Sequence, residues 1–218
     1  MWKEWDPAVV EEDFKVLAAH GMTAIRVFPL WSDFQPVTML RKCNSRPGQY
    51  CGKNETLLPP DSDGMDEDML ARFRTLADLA EKYQLKLIVG LLTGWMSGAM
   101  FGPPALSGKN ILTDFLALKL EKMFIDGFVS ALKDHVAIKA WEPGNVCNCM
   151  SACDENAAWN WLNMVTSAIR LADPTRPVYA GMHGASDDWR KPFNLIQHQD
   201  LCDAVTTHPY PAFTPHCG

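Results

Sequence analysis

Strand signals and helix signals alternate along the whole chain, and this feature constrains the fold more than any other. Asp6 caps a first helix with Pro7 at its first position, Val10, Phe14 and Leu17 form one apolar stripe, and Gly21 stops it. Thr23 to Phe28 (TAIRVF) is β-branched and apolar apart from Arg26, which predicts a buried strand. Helical spacing resumes at Met65, Met69, Leu76, Leu79, Ala80 and Tyr83, and Lys86 to Leu92 (KLIVGLL) reads as a second buried strand. The unit repeats with a helix over about Thr113 to Asp134 and a strand over His135 to Trp141. It repeats again with a helix over about Asp154 to Ala172 and a strand over Pro177 to Gly181. A weaker helical segment, Trp189 to Gln199, leads to a last strand, Asp203 to His208. Strands separated by helices in this way pair in parallel through right-handed crossovers, so the class is α/β.

Two segments carry no periodicity. Trp31 to Asp63 is rich in Pro, Gly, Asn and Ser and is expected to be a long loop; Ser97 to Asn110 is a Gly/Pro-rich loop. No GxGxxG or GxxxxGK[ST] follows any strand, which removes the main signature of the nucleotide-binding open sheets. Several strands instead end in large polar or aromatic residues: Arg26, Trp95, Glu142 with Asn145, His183, and His208 with Tyr210. A ring of such residues at strand C-termini is the pattern of a β/α-barrel site. Yet 218 residues fall short of the roughly 250 of a closed eight-fold barrel.

Three segments then carry a family likeness. GMTAIRVFPLWSDFQP (Gly21 to Pro36), AWEPGN (Ala140 to Asn145) and THPYP (Thr207 to Pro211) resemble the cellulase-like glycoside hydrolases of clan A, in particular family 5 and its β-mannosidase and β-galactosidase relatives. The resemblance implies a (β/α)8 TIM barrel, incomplete, with the five strands matching the second through sixth and residues 1–218 forming a single partial catalytic barrel domain. It implies retaining action on β-linked mannosides, glucosides or galactosides, a carbohydrate substrate and no cofactor. Arg26 matches the arginine that supports the nucleophile, and Asn145 the asparagine that holds the sugar 2-hydroxyl. Where the family has its acid/base glutamate this chain has Val146, and the nucleophile's strand is expected beyond Gly218 and a first strand before Met1.

Retaining hydrolysis needs two carboxyl groups about 5 Å apart, and valine supplies none. Glu142 shares the strand parity of position 146 but lies four residues back, roughly 13 Å deeper, beyond the reach of proton transfer. It is expected to pair with Arg26, since an unpaired buried charge is costly. The resemblance therefore implies a chain with little or no hydrolase activity of its own. A non-catalytic carbohydrate-binding protein is the alternative reading.

Trp31, Trp95 and Trp141 stand at or just past strand ends, where indole faces stack on sugar rings, and with His183, His208 and Tyr210 they are the candidate substrate contacts; packing is the competing role for each. Cys147, Cys149 and Cys153 lie within seven residues and open a further alternative, a metal-binding function, although paired CxxC spacing is absent; no metal site is assigned. A net charge of −6 argues against nucleic acid and anionic membranes as partners. The odd count of seven cysteines and the acidic first residues suggest a reducing, cytoplasmic setting. Unpaired barrel edges are expected to promote self-association.

Overall fold

The computed structural model describes residues 2–38 and 63–208. The chain order is α1 (Pro7–Ala19), β1 (Ala24–Val27), α2 (Trp31–Phe34), α3 (Glu67–Lys82), β2 (Lys86–Leu92), β3 (Trp95–Met96), β4 (Ala99–Met100), α4 (Phe115–Leu132), β5 (Ile138–Gly144), α5 (Glu155–Ala172) and α6 (Leu195–Leu201). Short 3-10 turns occupy Pro104–Leu106 and Cys147–Cys149.

The helices start where their capping residues allow. Side chains of Asp6, Asp66, Asp114, Asp154 and Asn194 accept hydrogen bonds from the backbone N–H groups of Ala8, Met69, Leu116, Ala157 and Gln197, satisfying donors that a first helical turn leaves open. Behind the caps, Phe73, Leu76 and Ala80 of α3 and Leu120, Phe124 and Phe128 of α4 are fully buried against the sheet. Phe128 meets Phe73 edge-on at 4.9 Å and Trp141 at 6.4 Å, so an aromatic layer joins helices to strands.

The sheet is parallel, in the order β1-β2-β5. Ala24 to Val27 face Lys86 to Val89, and Ile88, Val89 and Gly90 face Ala140, Trp141 and Glu142. Isolated parallel bridges, Trp141 to Val178 and Tyr179 to Ala204, carry the same arc two steps further. The two last expected strands are thus reduced to isolated bridges, and the cause lies in side chains of the neighbouring stretch. Val178 N–H donates to the Asp203 carboxylate (2.7 Å) and Gly181 N–H to the Thr206 hydroxyl (2.8 Å), so side chains occupy donors that a regular ladder would use.

Four further expectations are corrected. β5 begins at Ile138, not His135, because Ile138 N–H bonds His135 O in the turn that closes α4, and it runs on to Gly144 opposite Leu92. Trp31–Phe34 forms a short helix inside the supposed loop, with both aromatics buried; residues 39–62 lie outside the described residues. The second loop contains an antiparallel hairpin, β3 with β4, whose two turn residues, Ser97 and Gly98, both have positive φ (52° and 81°), as a tight hairpin turn requires. Finally, β1 is not fully buried: all four of its residues are partly exposed, since among the described residues it pairs only with β2.

Candidate functional site

The C-terminal ends of β1 and β5 and the stretches approaching His183 and His208 converge on one cavity of about 370 Å³. Its lining includes Arg26, Phe28, Trp95, Asn145, Val146, His183 and His208. Arg26 organises it. Its Nε donates to Glu142 Oε2 at 2.5 Å, and one terminal nitrogen reaches Asn145 Oδ1 at 3.0 Å and His208 Nε2 at 3.1 Å. The same guanidinium lies 4.6 Å from the centre of the Phe28 ring. Arginine alone presents several donors in one rigid plane, which is why one side chain ties β1 to both β5 and the last stretch of the arc.

These partners fix orientations. Guanidinium has no acceptor, so Asn145 must present its oxygen to Arg26, and its Nδ2 donates to the Trp95 carbonyl at 2.8 Å. By the same reasoning His208 accepts at Nε2, which places its proton on Nδ1. Burial, the Arg26 charge and His183 all push the His208 pKa down, so the ring is neutral at pH 7. Glu142 is 2% exposed; burial raises its pKa while Arg26 pulls it back, and the carboxyl touches Arg26 beneath the cavity without entering its lining.

Backbone geometry sets the wall beside Asn145. Gly144 lies so close to β2 that a Cβ would stand 2.0 Å from Leu92 O, and Gly181, at φ +68°, would bring a Cβ within 2.4 Å of Gly144 O. No larger residue fits either place. Immediately after, Val146 takes φ 43°, ψ 51°, a left-handed conformation that is a true outlier for a β-branched side chain. Val146 is one of the cavity-lining residues, at the position where the resemblance implies an acid. Asn148 Oδ1 accepts from His183 N–H at 3.0 Å and clips two neighbouring loops together at the rim.

The structure therefore brings Arg26, Asn145, Val146, Trp95, His183 and His208 around one space, with Glu142 below it. It corrects two expectations. Trp31 and Trp141 are fully buried, their Nε1–H groups donating to Gln35 (2.8 Å) and Asp173 (2.9 Å), so neither indole has a face for a sugar. Tyr210 lies outside the described residues. Phe28 is a lining residue that the sequence reading does not single out, although its i+2 spacing from Arg26 puts both on one face of the predicted strand Thr23 to Phe28. Met96, Ser97 and Gly98 also line the cavity and carry no sequence signal, since the hairpin that presents them has strands of two residues and its turn falls in the expected Ser97 to Asn110 loop. Cys147 is buried, Cys149 exposed and Cys153 intermediate. Among the described residues no group of three His, Cys, Asp or Glu side chains is placed to hold a metal ion. None of the described helices is long and apolar enough to cross a membrane.

No protein-family model matches the chain. Among curated proteins, it is 26% identical over 142 residues to a probable mannan endo-1,4-β-mannosidase F of Neosartorya fischeri, a match covering 62% of this chain and 31% of that protein. It is 31% identical over 122 residues to mannan endo-1,4-β-mannosidase A of Aspergillus aculeatus, covering 54% and 32%. The matches thus span about a third of these relatives' length. Among solved structures, GH5_18 from Streptomyces cattleya in complex with GlcNAc superposes with a TM-score of 0.79 at 21% identity, over 98% of this chain and 48% of that one. An exo-β-1,4-mannosidase from Opitutaceae bacterium strain TAV5 gives 0.76 at 24%, over 100% and 36%. The fold is accordingly that of a TIM barrel, of which this chain forms a part.

Proposed function

We propose that this chain, a relative of the cellulase-like glycoside hydrolases of clan A, family 5, carries a β-mannoside-binding cavity that holds a sugar without cleaving it. One observation carries the reading: the cavity lining offers a guanidinium, an amide, two imidazoles and an indole, and no carboxylate among the described residues. The amide and imidazole are held in single orientations by Arg26, which makes them directional partners for ring hydroxyls. Trp95, half-buried on the hairpin, supplies an apolar surface beside them.

Cleavage with retention requires one carboxyl to protonate the leaving oxygen and a second to attack the anomeric carbon. At the acid's position Val146 has no proton to give. Glu142 is held by Arg26 and covered by the cavity floor, out of hydrogen-bond reach of a ligand. The mannoside preference rests on the names of the curated relatives.

Calorimetric titration with β-1,4-mannobiose and mannotriose tests the binding half. Saturable heat that Asn145→Ala abolishes is expected, and no heat with any β-linked oligosaccharide would overturn it. An aryl β-mannoside assay tests the other half, with turnover expected at background. Turnover that survives Glu142→Ala would show another acid at work, and turnover lost in that variant would show that Glu142 reaches the substrate after all.

A further inference from the structure

We infer that Trp189 is an aromatic platform for a sugar unit outside the cavity, so that the chain binds longer β-1,4-linked oligosaccharides more tightly than short ones. The inference rests on the carbohydrate-binding reading above and extends it to a second contact.

Trp189 is 65% exposed, yet the loop that presents it is tightly built. Asn194, itself buried, donates from Nδ2 to the carbonyls of Trp189 (3.0 Å) and Lys191 (2.8 Å). Leu195 N–H returns to Ser186 O at 2.8 Å and closes the base of the loop. Phe193 plugs it into the core, edge-on to Trp161 at 5.9 Å, with its backbone at φ 54°. These ties hold the loop in place while the Trp189 indole stands mostly in solvent.

Position and surroundings identify the ligand. In a parallel barrel, strand C-termini and helix N-termini share one end, which is where substrates bind. Trp189 belongs to that end, six residues along the chain from His183 in the cavity lining, which limits the separation to about 20 Å. The other exposed aromatics among the described residues, Phe115 and Trp159, also lie near helix starts on this end. Exposed Met22, Val136 and Leu171 occupy the connections and helix end at the opposite side. Its chain neighbours Asp188 and Arg190 pair with each other through two bonds (2.8 and 2.9 Å), so the loop that carries the indole also carries held charged groups. A pyranose ring, with an apolar C–H face and a rim of hydroxyls, matches both halves of that surface. A chain of β-linked sugars leaving the cavity is the ligand that connects the two places.

The test compares wild type and Trp189→Ala by calorimetry, with β-1,4-mannobiose and β-1,4-mannohexaose. The wild type is expected to bind the hexaose about tenfold more tightly than the biose, and the variant to lose most of that gain while keeping the biose affinity. A second readout needs no variant: oxidation of Trp189 by N-bromosuccinimide, followed by peptide mass mapping, should be slowed by the hexaose and not by the biose. Wild-type length dependence retained in Trp189→Ala, or hexaose binding without protection of Trp189, overturns this inference and leaves the cavity reading standing. Absence of binding to either sugar overturns both.

Discussion

Arg26 shows how one side chain serves stability and recognition at once, and the two roles separate experimentally. Its partner Glu142 is 2% exposed, so removing the guanidinium strands a buried carboxylate. Arg26→Met should cost roughly 3–5 kcal/mol in urea denaturation. Replacing both partners, as Arg26→Met with Glu142→Leu, should recover most of that loss, because an apolar pair removes the desolvation penalty along with the charge. Ligand binding should stay lost in both variants, since Asn145 and His208 would no longer be oriented. A double variant as unstable as the single one would show that the pair is not the main term. Val146 offers the converse case, a site residue that is costly to the fold. Asparagine tolerates its left-handed backbone better, so Val146→Asn should stabilise by about 1 kcal/mol and raise Tm by about 2–4 °C in a scanning calorimeter. Arg26 and Asn145 were legible in the sequence because a charge in an apolar strand demands a partner and the AWEPGN motif supplied one. The burial of Trp31 and Trp141 was not, because a tryptophan at a strand end reads alike whether its indole faces a ligand or a helix.

At the scale of elements, capping chemistry was the most readable signal. Asp6 stood before Pro7 in the sequence, and the structure adds Asp66, Asp114, Asp154 and Asn194 as side-chain caps of four more helices. What periodicity could not reveal was the β3–β4 hairpin, whose strands are two residues each, and the loss of regular pairing around Val178, which depends on the distant carboxylate of Asp203. The α4–α5 interface holds a further feature that sequence gave no hint of. Glu121 is fully buried, accepts one bond from Trp161 Nε1 at 2.9 Å, and has its pKa pushed by burial up to about 8, with that bond pulling the other way. A carboxyl whose folded pKa lies above its unfolded value of 4.5 binds its proton more tightly in the native state. Its contribution is therefore intact below pH 4.5 and is lost as pH rises toward about 8. His198, buried and lowered to about 4, has the opposite slope, its contribution falling as pH drops from 6.5 toward 4. Between pH 6.5 and 8 Glu121 thus acts without that opposing change. Glu121→Gln keeps an acceptor for Trp161 and removes the titration. Its stability relative to wild type should rise across that window by roughly 2 kcal/mol, from 1.36 kcal/mol per unit. Parallel stability curves for the two proteins would refute the buried-carboxyl account.

For the molecule as a whole, the alternation of strands and helices dictated the architecture, and the arc of parallel pairing follows from it: β1-β2-β5, then the bridges at Val178 and Ala204. What composition and periodicity could not supply is how far each strand is covered. TAIRVF reads as a buried strand, yet Ala24 to Val27 are all partly exposed, with Ile25 and Val27 resting on the core from one side only. The sheet's other limit, at Ala204, is held by one bridge to Tyr179. Among the described residues, both limits of the arc leave backbone donors and acceptors without a neighbouring strand, and a parallel edge with apolar side chains is a template for pairing with a second chain. Because the two limits differ in sequence and both run in the same direction, a β1 edge can meet the 203–206 edge of another copy in the sense that continues the parallel sheet. Such head-to-tail pairing has no built-in closure, so residues 1–218 expressed alone should self-associate progressively rather than stop at a dimer. Light scattering coupled to gel filtration should show a mass that climbs with concentration across the micromolar range, and its climb should not depend strongly on salt, since backbone pairing and apolar contact drive it. A monodisperse monomer over that range with a single cooperative melt would refute the open-edge account.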